Sequence, residues 1–404
     1  MAGAMVVRGP SVRDTVVLGL LSTFGPISLD LYLPLLPQVA ADLDTSPSAA
    51  QATITACLLG LAAGQLVAGP LSDRVGRKRP LIVGVALYAV CSLLCAVAPS
   101  ITALLVLRLL QGLAGAAGLV IARAVARDLF GGRALVVFLA RMMLVSGFAP
   151  VVAPVLGGQL ARVMDWRGVF GVLAAMGLVL VLAALLGLPE SLPPERRTGG
   201  RWHETLRGFA GLMHDKLFIG VALCGGLAGA SMFAYIAGAT FVLQRLYGLT
   251  PQGFSFVFGL NSIGIMAFGQ LAARLVRTTP PQRVLALGLS LNLTGALGLL
   301  ISVLTHAPLT FIVCSLFVMV SSLGTVFPTT TAIALADHGG RAGTASSLLG
   351  LLQYVFGALV APLVGIAGED TAVPLGVVAA SASAAAMVMF LVVVRRRLAR
   401  HGLQ

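Results

Sequence analysis

The stretch GPLSDRVGRK, residues 69–78, lies between two apolar runs that we place at 49–71 and 81–98. Its glycines permit a tight turn, and its acid, Asp73, stands among basic residues. Each flanking run has about twenty residues, the length that an α-helix needs to cross the hydrocarbon core of a membrane. Strands of a membrane barrel would be about ten residues long with alternating polarity. The stretch therefore predicts a tight connection between two membrane-spanning helices.

The rest of the chain repeats this alternation of apolar runs and short polar islands. Of its 404 residues, 58% are hydrophobic and 10% are charged, whereas soluble domains have roughly 45–50% and about 25%. This composition excludes a soluble enzyme, a disordered scaffold and a nucleic-acid-binding protein. The predicted fold class is an all-α polytopic membrane protein with twelve transmembrane helices. We place them at 15–38, 49–71, 81–98, 101–122, 135–160, 169–188, 217–245, 252–273, 284–305, 308–335, 343–367 and 372–394.

Lysine and arginine are divided unevenly between the two sides of this predicted bundle. If the N-terminus, the even-to-odd loops and the C-terminus share one side, that side holds nearly all of the basic residues. The exceptions are Arg162, Arg167 and Arg245 on the opposite side, and Arg108 and Arg141 within spans. Short cytoplasmic loops retain positive charge, so both termini are predicted to be cytoplasmic. Topology accounts for the net charge of +13 without a nucleic-acid partner.

A polar connection, PESLPPERRTGGRWHE from Pro189 onward, predicts a linker between two halves. Short motifs recur in the same order in both halves: GPLSDRVGR at 69–77 and GQLAARLVR at 269–277, GGRA at 131–134 and 339–342, and APVLG at 153–157 and APLVG at 361–365. Duplicated six-helix halves are a transporter architecture. The predicted domains are an N-terminal six-helix bundle at 1–188, a cytoplasmic linker at 189–216, a C-terminal six-helix bundle at 217–394 and a cytoplasmic tail at 395–404.

One acidic residue, Asp30, lies within a predicted span, where an ionised and unpaired carboxylate is costly. Such a group can bind and release a proton, or it can belong to a structural ion pair or a water-filled vestibule. Arg108 in helix 4 is the matching basic residue. Asp30 lies about 22 Å along helix 1 and Arg108 about 12 Å along helix 4 from the opposite side. In a core about 30 Å thick these depths nearly coincide, so the two can pair, with Asp30 as the titrating group because a guanidinium does not deprotonate.

The stretch 69–78 can also act as a latch between conformations. Asp73 can cap a helix end or pair with an arginine of the neighbouring half, in a contact that one transport state makes and the other breaks. The alternative is ordinary positive charge at a short turn. The predicted latch residues are Gly69, Asp73, Arg74, Gly76 and Arg77.

Helix 5 carries the sequence GFAPVVAPVLGG at 147–158. Prolines free backbone carbonyls and bend a helix, and glycines allow a neighbouring backbone to come close. The pattern favours either a flexible gating element or a static kinked packing face. Its marked residues are Gly147, Pro150, Pro154, Gly157 and Gly158.

Substrate contacts are expected from polar and aromatic residues that interrupt helices 1, 7, 8 and 11. Such groups can stack on or hydrogen-bond an amphipathic molecule, although most aromatic residues in spans only pack or sit at the membrane interface. The five cysteines lie in spans and the five histidines lie outside them, so no metal site and no enzyme is predicted. The candidate substrate residues are Tyr32, Phe233, Tyr235, Phe241, Asn261, Gln353 and Tyr354.

Several of these motifs resemble those of the major facilitator superfamily. GPLSDRVGRK is similar to the superfamily's loop 2–3 motif, RLLQG at 108–112 resembles the helix 4 motif of proton-coupled members, and the helix 5 run resembles the antiporter motif. DLYLP at 30–34, DWR at 165–167 and GTASS at 343–347 resemble the bicyclomycin-resistance (Bcr/CflA) subfamily of twelve-helix drug:proton antiporters. The chain departs from these patterns at Ala149 and Ala153, which precede the helix 5 prolines, and at Ala273, which stands opposite Asp73.

The resemblance implies alternating access, with export of small hydrophobic or amphipathic compounds such as chloramphenicol- or bicyclomycin-like drugs. Inward proton flow would supply the energy, and no cofactor is expected. It also implies a monomer in the bacterial cytoplasmic (inner) membrane, whose partners are the drug, protons and lipid. A proton-coupled exporter or importer of an endogenous metabolite on the same fold remains open. An ATP-driven pump is excluded for this chain because it lacks the G-x-x-x-x-G-K-[ST] phosphate loop.

Overall fold

The computed structural model describes residues 12–130, 138, 142, 149, 152–197, 210–336, 342–365 and 371–395, and these residues form helices and short connections without any strand. The α-helices are α1 Val12–Asp30, α2 Leu36–Asp42, α3 Pro47–Val75, α4 Lys78–Ala96, α5 Ile101–Leu129, α6 152–160, α7 Trp166–Gly187, α8 Lys216–Phe241, α9 Pro251–Leu275, α10 Pro281–Leu304, α11 Leu309–Ser321, α12 Leu323–Ala336, α13 Ala342–Val364 and α14 Val373–Met389.

The described helices agree with an all-α membrane protein. Nine of them are long and apolar enough to cross a membrane within the described ranges, or ten if the bent pair Thr15–Gly25 and Ile27–Asp42 counts as one span. The predicted fifth span, 135–160, is described mainly over 152–160. Several boundaries differ from the sequence prediction. The fourth span continues to Leu129 in a run of helix-favouring residues, and the tenth is two helices that meet at Ser322.

The first span is broken rather than continuous. Its two segments meet at an angle of 55° around Pro26, a residue type that cannot donate the next helical hydrogen bond. The α-helix then ends at Asp30 and gives way to a 3-10 turn at Leu33–Leu35 before α2 begins. Asp30 therefore lies at a helix end inside the protein, next to irregular backbone.

Side-chain caps fix where several helices begin. The hydroxyl of Ser46 accepts the N–H of Ala49, and the hydroxyl of Ser100 accepts the N–H of Ala103. Asp165, Asp215 and Thr250 do the same for α7, α8 and α9. Each cap satisfies a backbone donor that the first turn of a helix leaves unpaired. Ser, Thr and Asp before an apolar run mark these starts in the sequence.

The helices α3 and α5 approach each other so closely that their backbones touch. A Cβ atom added to Gly60 would collide with the backbone of Leu109, and one added to Gly112 would collide with the carbonyl of Cys57. Glycine is needed at both positions because no side chain fits between the two helices. This pair forms the centre of the N-terminal helices, α1–α7.

Apolar contacts divide the protein into two groups of helices that meet. One cluster of buried side chains lies entirely within residues 18–188 and another within 212–394, while a third combines side chains from both. We call α1–α7 the N-terminal helices and α8–α14 the C-terminal helices. The end of the bundle with α2 is the α2 end, and the opposite end, with Gly76 and Glu190, is the linker end.

Hydrogen bonds join the two groups at the α2 end. Gln244 Nε2 donates to the carbonyl of Pro34 at 3.0 Å, and Gln252 Nε2 donates to the carbonyl of Gly158 at 2.6 Å. Ser48 also donates to a backbone carbonyl of the other group. These contacts close the bundle at the α2 end.

Candidate functional site

Asp30 lies between the two groups of helices. It is 6% exposed, and its carboxylate has no hydrogen bond or ion pair with any other described residue. Two tyrosines of the C-terminal helices, Tyr235 on α8 and Tyr354 on α13, lie within electrostatic range of it. Within the described part of the chain, the Asp30 carboxylate therefore has no compensating cation.

Most of the predicted substrate residues of the C-terminal helices form two contacting pairs. Asn261 Nδ2 donates to the hydroxyl of Tyr235 at 2.9 Å, and the Tyr235 ring stacks on Phe258 with centroids 5.3 Å apart. Phe233 contacts Tyr354 with ring centroids 6.2 Å apart. Each pair includes a tyrosine within electrostatic range of Asp30.

The remaining two candidates on this side differ in position. Gln353 lies next to Tyr354 in the chain, and its side chain packs over Gly229. Phe241, at the end of α8 near the α2 end, is 4% exposed and belongs to the apolar cluster that joins the two groups. Phe233 and Tyr235 belong to the same cluster.

Arg108 is fully buried on the other side of α1. It donates to Gln111 Oε1 at 2.6 Å and to the carbonyl of Ser28 at 3.4 Å. Its guanidinium carbon lies 5.0 Å from the ring centroid of Tyr32 and 5.5 Å from that of Phe170. Stacking on aromatic rings partly compensates a buried cation.

Asp30 and Arg108 are therefore not in contact, despite their similar depth. Arg108 lies against Tyr32, Phe170 and Gln111 of the N-terminal helices, and it forms no ion pair with Asp30. Equal depth along two helices does not fix the direction in which either side chain points. The Tyr32 ring lies over Arg108, and its hydroxyl shares a hydrogen bond with the hydroxyl of Thr53 at 3.1 Å; its contact with substrate stays a prediction.

Sequence reasoning missed the polar network that holds Arg108. Gln111 Nε2 donates to Ser92 Oγ at 2.7 Å, Ser92 donates to the carbonyl of Tyr88, and the Tyr88 hydroxyl is hydrogen-bonded to Ser28. The spacing of Arg108 and Gln111, three residues apart on one helix face, was the available signal. Two guanidinium nitrogens, Nε and Nη2, still have no partner within the described residues.

The predicted latch is mostly helix rather than loop. Gly69, Asp73 and Arg74 lie within α3, and the connection to α4 consists of Gly76 and Arg77. Gly76 has φ of 103°, a backbone conformation that favours glycine. The helix α3 continues past its predicted end at residue 71, because the polar residues that follow, including Asp73 and Arg74, are compatible with helical backbone.

Arg77 pairs with acids of its own group of helices, not with the neighbouring half. Its guanidinium forms ion pairs with Asp73 and with Asp128 at the end of α5, the latter at 2.8 Å. Burial alone would lower the pKa of Arg77, but the hydrogen bond to Asp128 and the charges of both acids raise it above its usual value. In this conformation the latch ties α3 to α5.

Glu190, at the start of the linker, completes this charged cluster. Its carboxylate accepts the backbone N–H groups of Arg77 at 2.8 Å, Lys78 at 3.2 Å and Leu192 at 3.0 Å. Partial burial alone would raise the pKa of Glu190, but these three donors and the nearby Arg197 hold it below its usual value. The linker is therefore fastened to the first turn of α4.

Replacing Glu190 with Gln should loosen this attachment, because a neutral amide accepts hydrogen bonds from backbone N–H groups less strongly than a carboxylate does. We expect amide hydrogen exchange at Arg77, Lys78 and Leu192 to become several-fold faster at constant pH. The exposed neighbour Glu195 supplies the matched control, Glu195→Gln, which should leave these rates unchanged. Equal exchange in wild type and Glu190→Gln would show that the carboxylate does not hold the linker.

Helix 5 is only partly described, and Gly147 and Pro150 lie outside the described residues. Pro154 lies in α6. A Cβ atom added to Gly157 would collide with the carbonyl of Leu31, and one added to Gly158 would collide with Ser255 of α9. These glycines let α6 touch both the break that follows Asp30 and the C-terminal helices.

The DWR residues act at the α2 end. Asp165 caps α7, and Trp166 Nε1 donates to Asp42 Oδ2 at 2.9 Å. Arg167 Nη1 donates to the carbonyls of Ala96 and Ala98, at the end of α4. The motif therefore fastens α2 and α4 to α7. GTASS at 343–347 begins α13, and its polar side chains lie outside the described residues.

Within the described ranges, no three His, Cys, Asp or Glu side chains come together in a way that would hold a metal ion. The chemistry that the described site offers is limited to an acid, an arginine and aromatic groups. The described helices form two groups that meet. Asp30 and Arg108 are buried, and neither forms an ion pair with a described residue. Buried charges in a helical membrane protein of this kind are typical of secondary transporters.

Comparison with known proteins identifies the family. The sequence profile of the Major Facilitator Superfamily matches residues 18–362. The chain belongs to this superfamily of transporters.

Relatives with similar sequences cover most of the chain. It is 40% identical over 364 residues to the uncharacterized MFS-type transporter YdgK of Bacillus subtilis (strain 168), covering 90% of each chain. It is 30% identical over 358 residues to the bicyclomycin resistance protein homolog of Haemophilus influenzae, covering 89% of this chain and 90% of that one. The multidrug resistance protein MdtL of Shigella flexneri is 28% identical over 347 residues, covering 84% and 86%.

Solved structures share the fold at low identity. The nucleoside transporter NupG, solved as a mutant, superposes with a TM-score of 0.74 at 14% identity, covering 94% of this chain and 97% of that one. The xylose transporter XylE from E. coli gives a TM-score of 0.70 at 14% identity, with the same coverage. These similarities show the fold of the chain and say nothing of its substrate.

Proposed function

We propose that the chain exports small hydrophobic or amphipathic compounds, such as chloramphenicol- or bicyclomycin-like drugs, in exchange for protons. The observation that carries this proposal is Asp30, a buried carboxylate that forms no ion pair with any described residue. A carboxylate in this position is most stable when protonated, and it can give up its proton when its surroundings change. The names of the two resistance relatives support a drug as the exchanged substrate.

The proposed transport mechanism is alternating access by movement of two halves, 1–188 and 217–394, about the linker at 189–216. If the linker end is cytoplasmic, as the distribution of arginine favours, the hydrogen bonds at the α2 end close the outer side. Gln244 and Gln252 make two of these bonds to backbone carbonyls. The structure would then correspond to a state that is closed on its outer side.

The proposed binding region is the meeting face around Asp30. Tyr235, Phe233 and Tyr354 offer aromatic surface, and Asn261 offers an unpaired amide oxygen within the described part of the chain. Aromatic groups with few polar atoms suit amphipathic molecules of varied shape. We further propose that the transporter works as a monomer in the bacterial inner membrane, with the proton gradient as its energy source and no cofactor.

Transport in proteoliposomes tests this proposal. Radiolabelled chloramphenicol is supplied with an imposed pH gradient in either direction or with none. Antiport requires that chloramphenicol moves against the proton flow and that its rate falls to background when the gradient is collapsed. Movement in the same direction as protons would overturn antiport. No chloramphenicol movement, with gradient-driven uptake of a metabolite mixture, would favour the metabolite transporter instead.

Asp73→Asn should slow turnover more than it weakens drug binding. Asp73 pairs with Arg77 at the linker end, away from the proposed binding region, so its charge should influence the balance of conformations. We expect a several-fold lower transport rate with an equilibrium dissociation constant that changes less than about twofold, measured by the same transport assay and by equilibrium binding. A large loss of affinity with normal turnover would place this end of α3 in the binding site.

A further inference from the structure

Arg108 on α5 is held by a chain of hydrogen bonds that ends on α4. Arg108 Nη1 donates to Gln111 Oε1 at 2.6 Å, and Gln111 Nε2 donates to Ser92 Oγ at 2.7 Å. Ser92 Oγ donates in turn to the carbonyl of Tyr88 at 2.8 Å. Arg108, Gln111 and Ser92 are fully buried, so these bonds form away from competing water. The chain therefore limits where the guanidinium can lie.

The two ends of this chain agree on the orientation of the Gln111 amide. The Ser92 hydroxyl gives its proton to its own helix, so its oxygen is left to accept from Gln111. A guanidinium has donors and no acceptor, so Arg108 donates to Gln111. Both neighbours thus require the amide nitrogen toward Ser92 and the amide oxygen toward Arg108. Both polar atoms of the Gln111 side chain are satisfied in this orientation.

The C-terminal helices contain a counterpart of this region, and glycine contacts define it. Gly64 of α3 packs against Leu113 of α5. Gly264 of α9, 200 positions after Gly64, packs against Ser321 of α11, 208 positions after Leu113. The repeated motifs GPLSDRVGR and GGRA recur at the same two offsets. Each residue of this part of α5 therefore has its counterpart 208 positions later.

A second glycine contact relates α4 to α10. Gly84 of α4 packs against Ala117 of α5. Gly288 of α10 packs against Thr325, which lies 208 positions after Ala117. Gly288 lies 204 positions after Gly84, so each residue of this part of α4 has its counterpart 204 positions later.

The counterparts of the chain are apolar. All three are fully buried in the core, as the residues of the chain are. The counterparts of Arg108, Gln111 and Ser92 are Leu316, Met319 and Ala296. Equivalent positions thus hold apolar side chains in one half of the molecule and a charged, hydrogen-bonded chain in the other.

A neighbouring hydrogen bond is common to both halves. The Tyr88 hydroxyl of α4 is hydrogen-bonded to Ser28 of α1. At the counterpart of Tyr88, Asn292 Nδ2 of α10 donates to Ser231 Oγ of α8 at 3.3 Å. Equivalent helices are therefore joined by polar contacts in both halves, and the chain to Arg108 is an addition to this shared pattern.

Packing alone does not account for this addition. A buried guanidinium costs free energy, and Arg108 Nε and Nη2 have no partner within the described residues. Leu316 shows that an apolar side chain fills the equivalent position. We propose that Ser92 and Gln111 are positioning residues that hold Arg108 for proton-coupled transport. This inference rests on the proposed function.

Ser92 acts by fixing the direction of the Gln111 amide. Without its hydroxyl, the amide is free to turn and to place its N–H groups toward the guanidinium, donor against donor. Arg108 then loses the acceptor that helps to keep it beside Tyr32 and Phe170. The loss of one hydroxyl on α4 should therefore impair transport through a residue of α5.

Transport of radiolabelled chloramphenicol under an imposed pH gradient tests this role. We expect Ser92→Ala to lower the rate about tenfold, the effect of losing one hydrogen bond to a charged group. Gln111→Met should lower it as far as Arg108→Met does. In the Arg108→Lys background, Ser92→Ala should change the remaining rate by less than about twofold, because the ammonium group of lysine no longer fits the chain.

Solid-state NMR of the full-length protein in lipid vesicles reports the position of Arg108 without any substrate. Arginine is labelled with the heavy nitrogen isotope, and the signals that Arg108→Met removes belong to Arg108. We expect separate Nη1 and Nη2 signals in wild type, because Gln111 accepts from Nη1 and no described residue accepts from Nη2. In Ser92→Ala the two signals should merge, as the freed guanidinium rotates and exchanges its two amino groups.

Two further variants separate positioning from folding. The control Thr294→Val removes a hydroxyl on α10 that, like that of Ser92, donates to a carbonyl of its own helix, here at 2.9 Å. It should leave the transport rate and the NMR signals unchanged. A triple variant that copies the other half, Arg108→Leu with Gln111→Met and Ser92→Ala, should lose coupled transport and melt at or above the temperature of wild type.

Separate Nη signals in Ser92→Ala, or a transport rate equal to that of wild type, would each overturn the inference. A triple variant that melts well below wild type would assign the chain to folding and overturn it too. Merged signals in Ser92→Ala, together with wild-type chloramphenicol transport that ignores the pH gradient, would instead refute the proposed function and leave Ser92 and Gln111 as the residues that hold Arg108.

Discussion

Asp30→Asn is expected to reduce proton-driven efflux to the rate of vesicles without protein. The amide has nearly the volume of the acid but cannot take up or release a proton. The protein should remain folded in the membrane, because the change removes a buried carboxylate that has no donor in the described part of the structure. Substrate transport under an imposed pH gradient and the melting temperature in detergent measure the two effects.

The matched control for this variant is Asp44→Asn. Asp44 is exposed between α2 and α3 and has φ of 45°, a conformation that Asn adopts as readily as Asp. Transport by this variant should equal that of wild type. Undiminished pH-dependent efflux by Asp30→Asn would remove Asp30 from the mechanism.

Arg108→Met should abolish coupled transport without lowering the melting temperature. The buried guanidinium has two nitrogens without partners in the described structure and no neighbouring carboxylate. Methionine fills similar space between Tyr32 and Phe170 without the cost of a buried charge. The loss of a partner for Gln111 offsets part of this gain. Thermal unfolding and transport of the same purified variant provide the comparison.

Arg108→Lys refines this prediction. Lysine keeps a positive charge but loses the planar group that stacks on the two rings and bonds Gln111. We expect partial transport that varies more steeply with external pH than in wild type, since an ammonium group can deprotonate when it is desolvated. A marked fall in the melting temperature of Arg108→Met, with normal transport by Arg108→Lys, would assign Arg108 to folding rather than to transport.

The sequence predicted most of the helices because length and polarity determine which segments can cross a membrane. The same reasoning placed Asp30 and Arg108 at equal depth, and the structure shows why depth was insufficient. The break around Pro26 and the 3-10 turn at Leu33–Leu35 decide which way the end of α1 faces. The direction of a side chain around its helix axis depends on such local breaks and on packing, which hydropathy does not record.

The contacts of Glu190 show a second limit of prediction from the sequence. Its partners Arg77 and Lys78, at the start of α4, lie more than a hundred positions earlier in the chain, and a single sequence carries no signal for pairing across such a separation. The close approach of α3 to another helix is easier to predict from the sequence, because Gly60 and Gly64 form a G-x-x-x-G pattern in an apolar run. That pattern indicates a helix-packing face, although it does not name the partner helix.

The contact between α3 and α5 also has a mechanical consequence. The backbones of α3 and α5 touch at Gly60 and Gly112, so sliding one helix along the other would bring side chains into the facing backbone. We therefore expect the two helices to move together as one rigid unit. Each helix has 29 residues and is about 43 Å long, enough to cross the whole membrane. One end of α3 carries Ser48, which donates a hydrogen bond to the carbonyl of Pro362, and the other end carries Asp73, which pairs with Arg77. If the two helices move together, a chemical cross-link between one end of this pair and the C-terminal helices should also restrict movement at the other end.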